Sequence, residues 1–230
     1  MASGLVRLAR PPQQAPRSFT WDPAMVLWVE HLIKRSWKRV RPHVHLKGPV
    51  RETKLNTLLR REMLKELEKL VAKGNQSFFT IVTSSEEVPD YMGSLVENKP
   101  DLVVRIDSYR HQWNALFIEC KVLSKSATIS AYGVDGMARF VKGKYASTMT
   151  HAMMLGYCVG PDQLASNARS SLDRYLSRSK LKRSLVNTSA CDLGSKAARH
   201  LVVTEHKRSF KLGSHAFKNI KLRHMWLQAR

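Results

Sequence analysis

The sequence predicts an α/β domain with a mixed β-sheet. One observation is a helical pattern over residues 53–72, in which apolar residues recur at a spacing of 3.6 with charged residues between them. The second is a set of short runs rich in β-branched and apolar residues, each typical of a buried strand. Because these runs alternate with helical patterns later in the chain, we expect helices packed against one sheet.

The first half of the chain predicts two helices and then three strands. Residues 1–22 contain Pro and Gln without periodicity, 23–39 have the pattern of a short helix, and 53–72 form the clearest helix, with Gly74 as its stop. Strands are expected at residues 78–83 (FFTIVT), 102–106 (LVVRI) and 115–122 (ALFIECKV), with a turn over the polar residues 107–114.

The second half predicts a helix over 132–149, with Val134, Met137, Ala138, Val141 and Tyr145 on one face. A buried strand follows at 152–159, then a basic helix at 163–179 and strands at 201–205 and 220–227. After the short N-terminal helix, the expected core order is helix, three strands, helix, strand, helix, two strands. We expect residues 1–50 to be a basic extension carrying the short helix, and residues 51–230 to be the main domain.

The charge of the chain is its strongest global feature. Lys and Arg number 39 against 18 Asp and Glu, which gives a net charge of +21, while apolar residues make up 43% of the chain and argue against disorder. A field of that sign attracts polyanions, so we expect a nucleic-acid partner. A basic protein that sits on ribosomes or membranes without chemistry is the alternative.

Cysteine usage and hydropathy predict a cytoplasmic protein. The three cysteines are Cys120, Cys158 and Cys191, an odd number without a C-x-x-C pair, which favours reduced thiols over a disulfide scaffold. No apolar run approaches the roughly 20 residues of a membrane span, and no signal peptide is recognisable. His43 and His45 lack the further ligands of a zinc finger, and no Gly-x4-Gly-Lys-Ser/Thr loop for ATP is present.

The third predicted strand carries two charges on an otherwise apolar segment. Since side chains alternate along a strand, Glu119 and Lys121 share one face with Phe117. Asp101 opens the preceding strand, and a hairpin would bring it towards Glu119 in a register that the sequence does not fix. Buried charges need partners, and two carboxylates with water suit Mg²⁺ or Mn²⁺.

Pro100-Asp101 followed by Glu119-Cys120-Lys121 resembles the PD-(D/E)XK nuclease superfamily. The context agrees, because a helix precedes the first strand and another follows the third, as in the restriction-endonuclease-like αβββαβ core, over roughly residues 52 to 159. The resemblance implies that Asp101 and Glu119 are metal ligands, that Cys120 adds its backbone carbonyl, and that Lys121 is catalytic.

Glu52 is the fourth candidate catalytic residue. Many members of the superfamily use a carboxylate from the first helix, and Glu52 stands three residues before Leu55 and seven before Leu59, which points it towards the apolar face. The alternative is that Glu52 only favours the helix N-terminus electrostatically.

Residues 132–157 resemble a bacterial branch of the superfamily that is associated with phage defence and mobile elements. The pattern is Tyr132-x3-Gly136-Met-x-Arg139-Phe140-Val-x-Gly143-Lys-Tyr145 followed by Met153-Met-x-Gly156-Tyr157, and His206-x-Arg208 with His224 and Trp226 also fits. Arg139, Lys142 and Lys144 could contact a nucleic-acid backbone or simply form a solvated basic face.

The sequence therefore predicts a Mg²⁺- or Mn²⁺-dependent endonuclease that cuts DNA with a metal-activated water. Basic segments at 34–41 and 178–183 would help to hold the backbone. The partners expected are DNA and no membrane, with a homodimer or a separate ATPase or helicase motor as further options. A non-catalytic nucleic-acid-binding subunit and an RNase remain the alternatives.

Overall fold

The computed structural model describes residues 18–44, 50–74, 79–88, 90–92, 98–106, 113–124, 128–160, 163–190, 201–208, 210–212 and 215–229. Cys191, His45 and residues 107–112 of the turn predicted over 107–114 lie outside these residues. The helical elements are α1 (Pro23–Val40), a 3₁₀ turn (Arg41–His43), α2 (Glu52–Ala72), α3 (Ile129–Ala131), a π-helical segment (Tyr132–Met137), α4 (Ala138–Val141), α5 (Gln163–Arg178) and a second 3₁₀ turn (Lys180–Arg183).

A seven-stranded mixed sheet forms the centre of the molecule, with the order β1-β2-β3-β4-β9-β6-β5. Its strands are β1 (Phe79–Thr83), β2 (Leu102–Ile106), β3 (Leu116–Leu123), β4 (His151–Cys158), β5 (Leu185–Ala190), β6 (Leu201–His206) and β9 (Ile220–Gln228), while β7 (Lys211–Leu212) and β8 (His215–Ala216) form a separate ribbon. The strands β3, β4 and β9 run parallel, and the flanking pairs are antiparallel. The mixed α/β class predicted from the sequence is confirmed.

Helices cover both faces of this sheet. On β4, Tyr157 stacks on Trp37 of α1 and bonds to Asn56 of α2, so these two helices lie on one face. Met154 stands on the opposite face, because it is an odd number of residues from Tyr157, and a Cβ at Gly136 would meet its side chain. The segment from α3 to α5 therefore covers the second face.

Helices α1 and α2 begin and end where local chemistry favours it. The Asp22 side chain caps α1 by accepting from the Ala24 N–H, and Pro23 occupies the first helical turn, where no backbone donor is needed. The apolar stripe of α2, with Leu55, Leu59 and Met63, is buried against the sheet. The predicted stop of α2 agrees with the structure, since Gly74 has φ +74° and its N–H bonds to the Val71 carbonyl.

The helix predicted over residues 132–149 is wrong in length and in one residue of its predicted face, since Met137, Ala138, Val141 and Tyr145 are buried. Helical structure spans Ile129 to Val141 and ends before Gly143, whose φ of +71° closes the helix. Val134, which was expected to be buried, is 58% exposed. The π-helical segment explains this, because its wider turn shifts the side chains away from the 3.6-residue pattern.

Strand β5 was not predicted, because its sequence LVNTSA is polar and it lies at the edge of the sheet. The other predicted strands agree with the structure to within one or two residues. The N-terminal helix α1 contributes Val29 and Ile33 to the main core, and its Glu30 pairs with Arg223 of β9. In the part of the chain that the structure describes, no helix is long and apolar enough to cross a membrane.

Candidate active site

Three carboxylates from three different elements meet around one lysine. The Lys121 Nζ atom lies 3.0 Å from Glu52 Oε1, 3.0 Å from Glu119 Oε1 and 3.9 Å from Asp101 Oδ2. Glu52 opens α2, Asp101 precedes β2, and Glu119 and Lys121 lie on β3. The structure thus brings together the four candidate catalytic residues, and we call them the carboxylate cluster.

The register of β2 and β3 explains how Asp101 reaches the cluster. Leu102 pairs with Ile118, so the residue before β2 lies level with the Glu119–Cys120 peptide. The Cys120 N–H donates to Asp101 Oδ2 at 2.8 Å. This bond fixes the register that the sequence left open.

Two residues that sequence reasoning missed hold the other oxygen of Asp101. Asn56 Nδ2 donates to Asp101 Oδ1 at 2.9 Å, and Tyr157 OH donates to Asn56 Oδ1 at 2.8 Å. A signal for Asn56 was present, because it stands four residues after Glu52 and so lies on the same side of α2. Tyr157 stood in the pattern quoted for the bacterial branch, but nothing there linked it to Asn56, since their contact spans 101 residues.

Glu119 is the most deeply buried member, with a side chain 1% exposed. Tyr145 OH makes a short hydrogen bond to its Oε2 atom. Its Oε1 atom receives no well-oriented hydrogen bond from the described residues, although Lys121 Nζ at 3.0 Å and Arg139 Nη1 at 3.3 Å are within ion-pair distance. That oxygen therefore faces cations without a directional donor of its own.

The three residues predicted to contact nucleic acid do not lie together. Arg139 turns towards the carboxylate cluster, where it pairs with Glu119. Lys142 and Lys144 follow α4 and are exposed. Arg139 is thus placed beside the proposed chemistry, whereas the two lysines lie on the solvent-facing side of this segment.

Burial and mutual repulsion shape the electrostatics of the cluster. Burial, followed by the negative charge of Glu119, raises the pKa of Asp101 to about 7, in spite of the Cys120 N–H bond. Burial also opposes the charge of Lys121, but the carboxylates of Glu119, Glu52 and Asp101 outweigh it and raise the pKa of Lys121 above its ordinary value. A cation is therefore strongly held at the centre.

Cys120 presents its backbone and its side chain to different sides of β3. Its carbonyl oxygen accepts from Lys121 Nζ at 2.8 Å, so it faces the cluster as the resemblance implied. Its thiol is buried on the other face, where Sγ lies 3.5 Å from Tyr157 OH, and burial raises the pKa of this thiol. The side chain is thus an inert part of the core, and only the carbonyl can join the site.

The donor set suits a hard divalent cation, but the present arrangement is built around the lysine. The atoms nearest Lys121 Nζ are all oxygens, from Glu52, Glu119, Asp101 and the Cys120 carbonyl, as Mg²⁺ and Mn²⁺ prefer. Among the residues that the structure describes, no group of three or more His, Cys, Asp or Glu is arranged to hold a metal ion. The oxygens fit the chemistry of the metal, and its binding would require the ammonium group to withdraw.

Comparison with protein-family models, with curated proteins and with solved structures finds no match for this chain. By its fold and its site, the molecule is a mixed α/β protein with a lysine-centred carboxylate cluster.

Proposed function

We propose that this protein is a Mg²⁺- or Mn²⁺-dependent nuclease that hydrolyses phosphodiester bonds of DNA on a restriction-endonuclease-like αβββαβ core. The observation that carries the proposal is the convergence of Glu52, Asp101 and Glu119 on one lysine at the ends of β2, β3 and α2. The ion pairs of Glu66 on α2 set one carboxylate among several cations, whereas this cluster sets three carboxylates around Lys121. The charge of +21 supplies the attraction for a polyanionic substrate.

The part of each residue follows from its contacts. Glu52, Asp101, Glu119 and the Cys120 carbonyl would hold the divalent ion, which when bound polarises the phosphate and lowers the pKa of a bound water. Asn56 and the Cys120 N–H fix Asp101, and Tyr145 fixes Glu119, so these carboxylates need little reorganisation. Lys121 and Arg139 carry the positive charge that would meet the scissile phosphate.

A second candidate is a non-catalytic nucleic-acid-binding subunit. The observation that favours it is the Lys121 ammonium group, which stands among the oxygens that a metal would need. In that case the lysine is a permanent structural counter-ion, and the same basic surface binds nucleic acid without cleaving it. A role in phage defence, a homodimer and a motor partner are proposals that rest on the sequence resemblance alone.

Cleavage assays on purified protein test the proposal. Plasmid DNA, linear duplex DNA and RNA are each incubated with Mg²⁺, with Mn²⁺ and with chelator. We expect DNA to be cut only with metal, and Asp101→Asn and Glu119→Gln to abolish cleavage while binding in chelator persists, because the basic surface is intact. Glu87→Gln is the matched control, since it removes an exposed carboxylate that pairs with Lys99.

The outcomes separate the candidates. Cleavage of RNA alone would assign the RNase activity instead. Metal-independent cleavage, or full activity of either site variant, would contradict the proposed site. Binding of DNA without cleavage under every metal condition would support the non-catalytic subunit.

A further inference from the structure

A cavity of about 640 Å³ lies between α1 and the end of β9, and no residue of the carboxylate cluster is among the described residues that line it. Volumes of that size are typical of small-ligand sites in proteins. Its aromatic and apolar surfaces come from Trp28 and Trp37 of α1 and from Met225 and Leu227 of β9. The cavity therefore offers flat apolar surface to a planar group.

Cations line the same cavity along one side of α1. Lys34, Lys38 and Arg41 stand at successive helical turns, and Arg35 and His31 lie beside them. The row from residue 34 to residue 41 is about 10 Å long at 1.5 Å per residue. No Asp or Glu is among the described residues that line the cavity, so its field is of one sign.

Arg35, beside this row, fastens α1 to its neighbour α2. It pairs with the buried carboxylate of Glu66 at 3.1 Å, together with Arg39, and these contacts fasten α1 to α2. The wall that carries Lys38 and Arg41 is therefore held rigidly against the core. A rigid wall loses little entropy when it binds a ligand.

The cavity also lies close to the carboxylate cluster. Met225 pairs with Leu155, which pairs with Cys120, so two strand spacings of about 5 Å each separate its floor from β3. Trp37, in its wall, stacks on Tyr157 at a ring-centroid distance of 5.2 Å, and Tyr157 holds Asn56, which holds Asp101. A ligand in the cavity would thus lie one packed layer from the proposed chemistry.

From this combination we infer that the α1–β9 cavity binds an unpaired segment of the nucleic-acid substrate, with a base against Trp28 and backbone phosphates on Lys34, Lys38 and Arg41. A base in a duplex hides both faces in the stack, so only an unpaired base can lie against an aromatic wall. A row of cations follows a backbone, whereas a single phosphate needs only one or two. The inference rests on the proposed function in so far as nucleic acid is the partner.

The test is binding of a fluorescein-labelled oligo(dT) and of a duplex of equal length, followed by fluorescence anisotropy in chelator so that no cleavage occurs. We expect Trp28→Ala to weaken oligo(dT) binding roughly 5- to 150-fold, the range for loss of one stacked base, and Trp28→Phe to retain most of the affinity. Duplex binding should change little in either variant.

Charge variants test the cation row independently of the tryptophan. Lys38→Glu should weaken oligo(dT) binding far more than Lys218→Glu, the matched control, because Lys218 is exposed and precedes the opposite end of β9. Lys38→Ala should lower the salt dependence of log K by about 0.7, the value of one phosphate contact on a single strand. Lys38 is an exposed helix residue, so these variants do not depend on the core remaining folded.

Three results would overturn the inference. One is a Trp28→Ala variant that binds oligo(dT) like the wild type while Lys38→Glu is no weaker than Lys218→Glu. Another is an equal loss for duplex and oligo(dT), which would indicate a general basic surface. The third is full competition by thymidine monophosphate at the affinity of the oligonucleotide, which would indicate a free nucleotide as ligand. If binding depends on the cavity but no metal produces cleavage, the proposed nuclease fails and the inference stands.

Discussion

This protein contains two buried polar networks, one built from charged side chains and the other from neutral ones. The carboxylate cluster combines three acids with Lys121 and Arg139, so its charges do not balance. The second network, which we call the histidine chain, runs from Tyr132 through His224, Thr204 and His206 to Ser184 between β9, β6 and the second 3₁₀ turn. It contains no formal charge.

Each ring nitrogen of the two histidines in this chain has a hydrogen-bond partner. Ser184 OH donates to the Leu181 carbonyl, so Ser184 Oγ must accept from His206 Nδ1 at 3.1 Å. His206 Nε2 then accepts from Thr204, and Thr204 accepts from His224 Nε2 at 2.8 Å. His224 Nδ1 lies 2.9 Å from Tyr132 OH, whose single hydrogen faces both this nitrogen and the Met154 carbonyl at 3.3 Å. Burial lowers the pKa of His206 to about 4 and, together with His206, the pKa of His224 to about 3.

The difference separates a network with the properties of a structural one from the network to which we assign the proposed chemistry. A neutral, fully bonded chain has nothing left to bind, and its value is a fixed geometry between strands. The carboxylate cluster gathers three carboxylates around two cations, and Glu119 Oε1 receives no well-oriented hydrogen bond from the described residues. On the proposed function, a metal ion that displaced the Lys121 ammonium group would meet these oxygens. Substitutions should therefore affect cleavage in one network and stability in the other.

Among the variants that test the comparison of the two networks, Lys121→Ala should have the largest effect, a loss of cleavage. We expect the rate to fall on the order of 10²–10³-fold, the usual loss when a group that stabilises transition-state charge is removed. Metal binding should survive and strengthen, because the ammonium group no longer occupies the centre of the oxygens, so the rise in melting temperature caused by Mg²⁺ should grow. Lys54→Ala, an exposed position in the first turn of α2, is the control. Loss of the Mg²⁺ response would mean that Lys121 is structural.

His224→Leu should have the next largest effect, on stability rather than on cleavage. The substitution removes one hydrogen bond each from Tyr132 and Thr204, which keep their bonds to the Met154 carbonyl and to His206, so we expect a loss of about 0.5–1.5 kcal/mol for each bond. Urea unfolding should show this loss, while the cleavage rate well below the melting temperature stays at the wild-type value. His43→Leu, an exposed histidine, should change neither quantity. A fall in cleavage without a fall in stability would reverse the roles of the networks.

The pH dependence of stability should contain a contribution from the histidine chain, beside that of His151, whose pKa burial also lowers to about 4. Because the folded pKa values of His206 and His224 lie below the unfolded value of about 6.5, the unfolded chain binds more protons between pH 6.5 and 4. As the pH is lowered from 6.5 to 4, the free energy of unfolding should therefore decrease by up to about 1.4 kcal/mol per pH unit for each histidine. Asp101 acts with the opposite sign, since its raised pKa favours the folded state as pH falls below 7.

Urea unfolding at several pH values separates these contributions. His206→Gln should make the acid loss shallower by up to about 1.4 kcal/mol per pH unit. Asp101→Asn should make it steeper between pH 7 and 4, because the compensating proton uptake disappears. If the wild type and His206→Gln instead give parallel pH profiles, His206 gains its proton at the same pH in the folded and the unfolded chain. That result would contradict its lowered pKa.

The sequence predicted those parts of the site that depend on local periodicity. The alternation of β3 placed Glu119 and Lys121 on one face, and the 3.6-residue pattern of α2 placed Glu52 beside the apolar stripe. The register of Asp101 against Cys120 was out of reach, because it depends on a backbone hydrogen bond between two strands. Tyr145 and Tyr157 were missed for a similar reason, since their bonds to Glu119 and Asn56 join distant parts of the chain.

The parts of the fold that could not be predicted share a physical cause. The π-helical segment Tyr132–Met137 breaks the 3.6-residue period on which the helix prediction relied. The edge strand β5 has neither an apolar run nor a clean alternation, and it forms because β6 offers it a partner. The same local reasoning that located the carboxylates therefore failed where tertiary contacts override periodicity.

Glu52→Gln should have the smallest effect, and it decides between the two interpretations of that residue. Glu52 Oε1 lies 3.0 Å from Lys121 Nζ, Oε2 accepts from the Val122 N–H at 3.3 Å, and the residue is also the first of α2, where the helix dipole favours a negative charge. If it acts only on the dipole, Glu52→Gln costs about 0.3–1 kcal/mol of stability and leaves cleavage and metal response unchanged. If it is a ligand, the Mg²⁺-induced rise in melting temperature shrinks, because that rise follows RT ln(1 + [L]/Kd) and the Kd increases.

The control for this last experiment is Glu68→Gln, which removes an exposed carboxylate from the same helix. Glutamine keeps the shape of Glu52 and can still accept from Val122, so the loss of one negative charge is the main change. Removing that charge also breaks the ion pair between Glu52 and Lys121. This effect alone would free the ammonium group and help a metal to bind. A smaller Mg²⁺ response in Glu52→Gln therefore reports the ligand role against an opposing tendency. Wild-type turnover at limiting metal would instead assign Glu52 to the helix terminus.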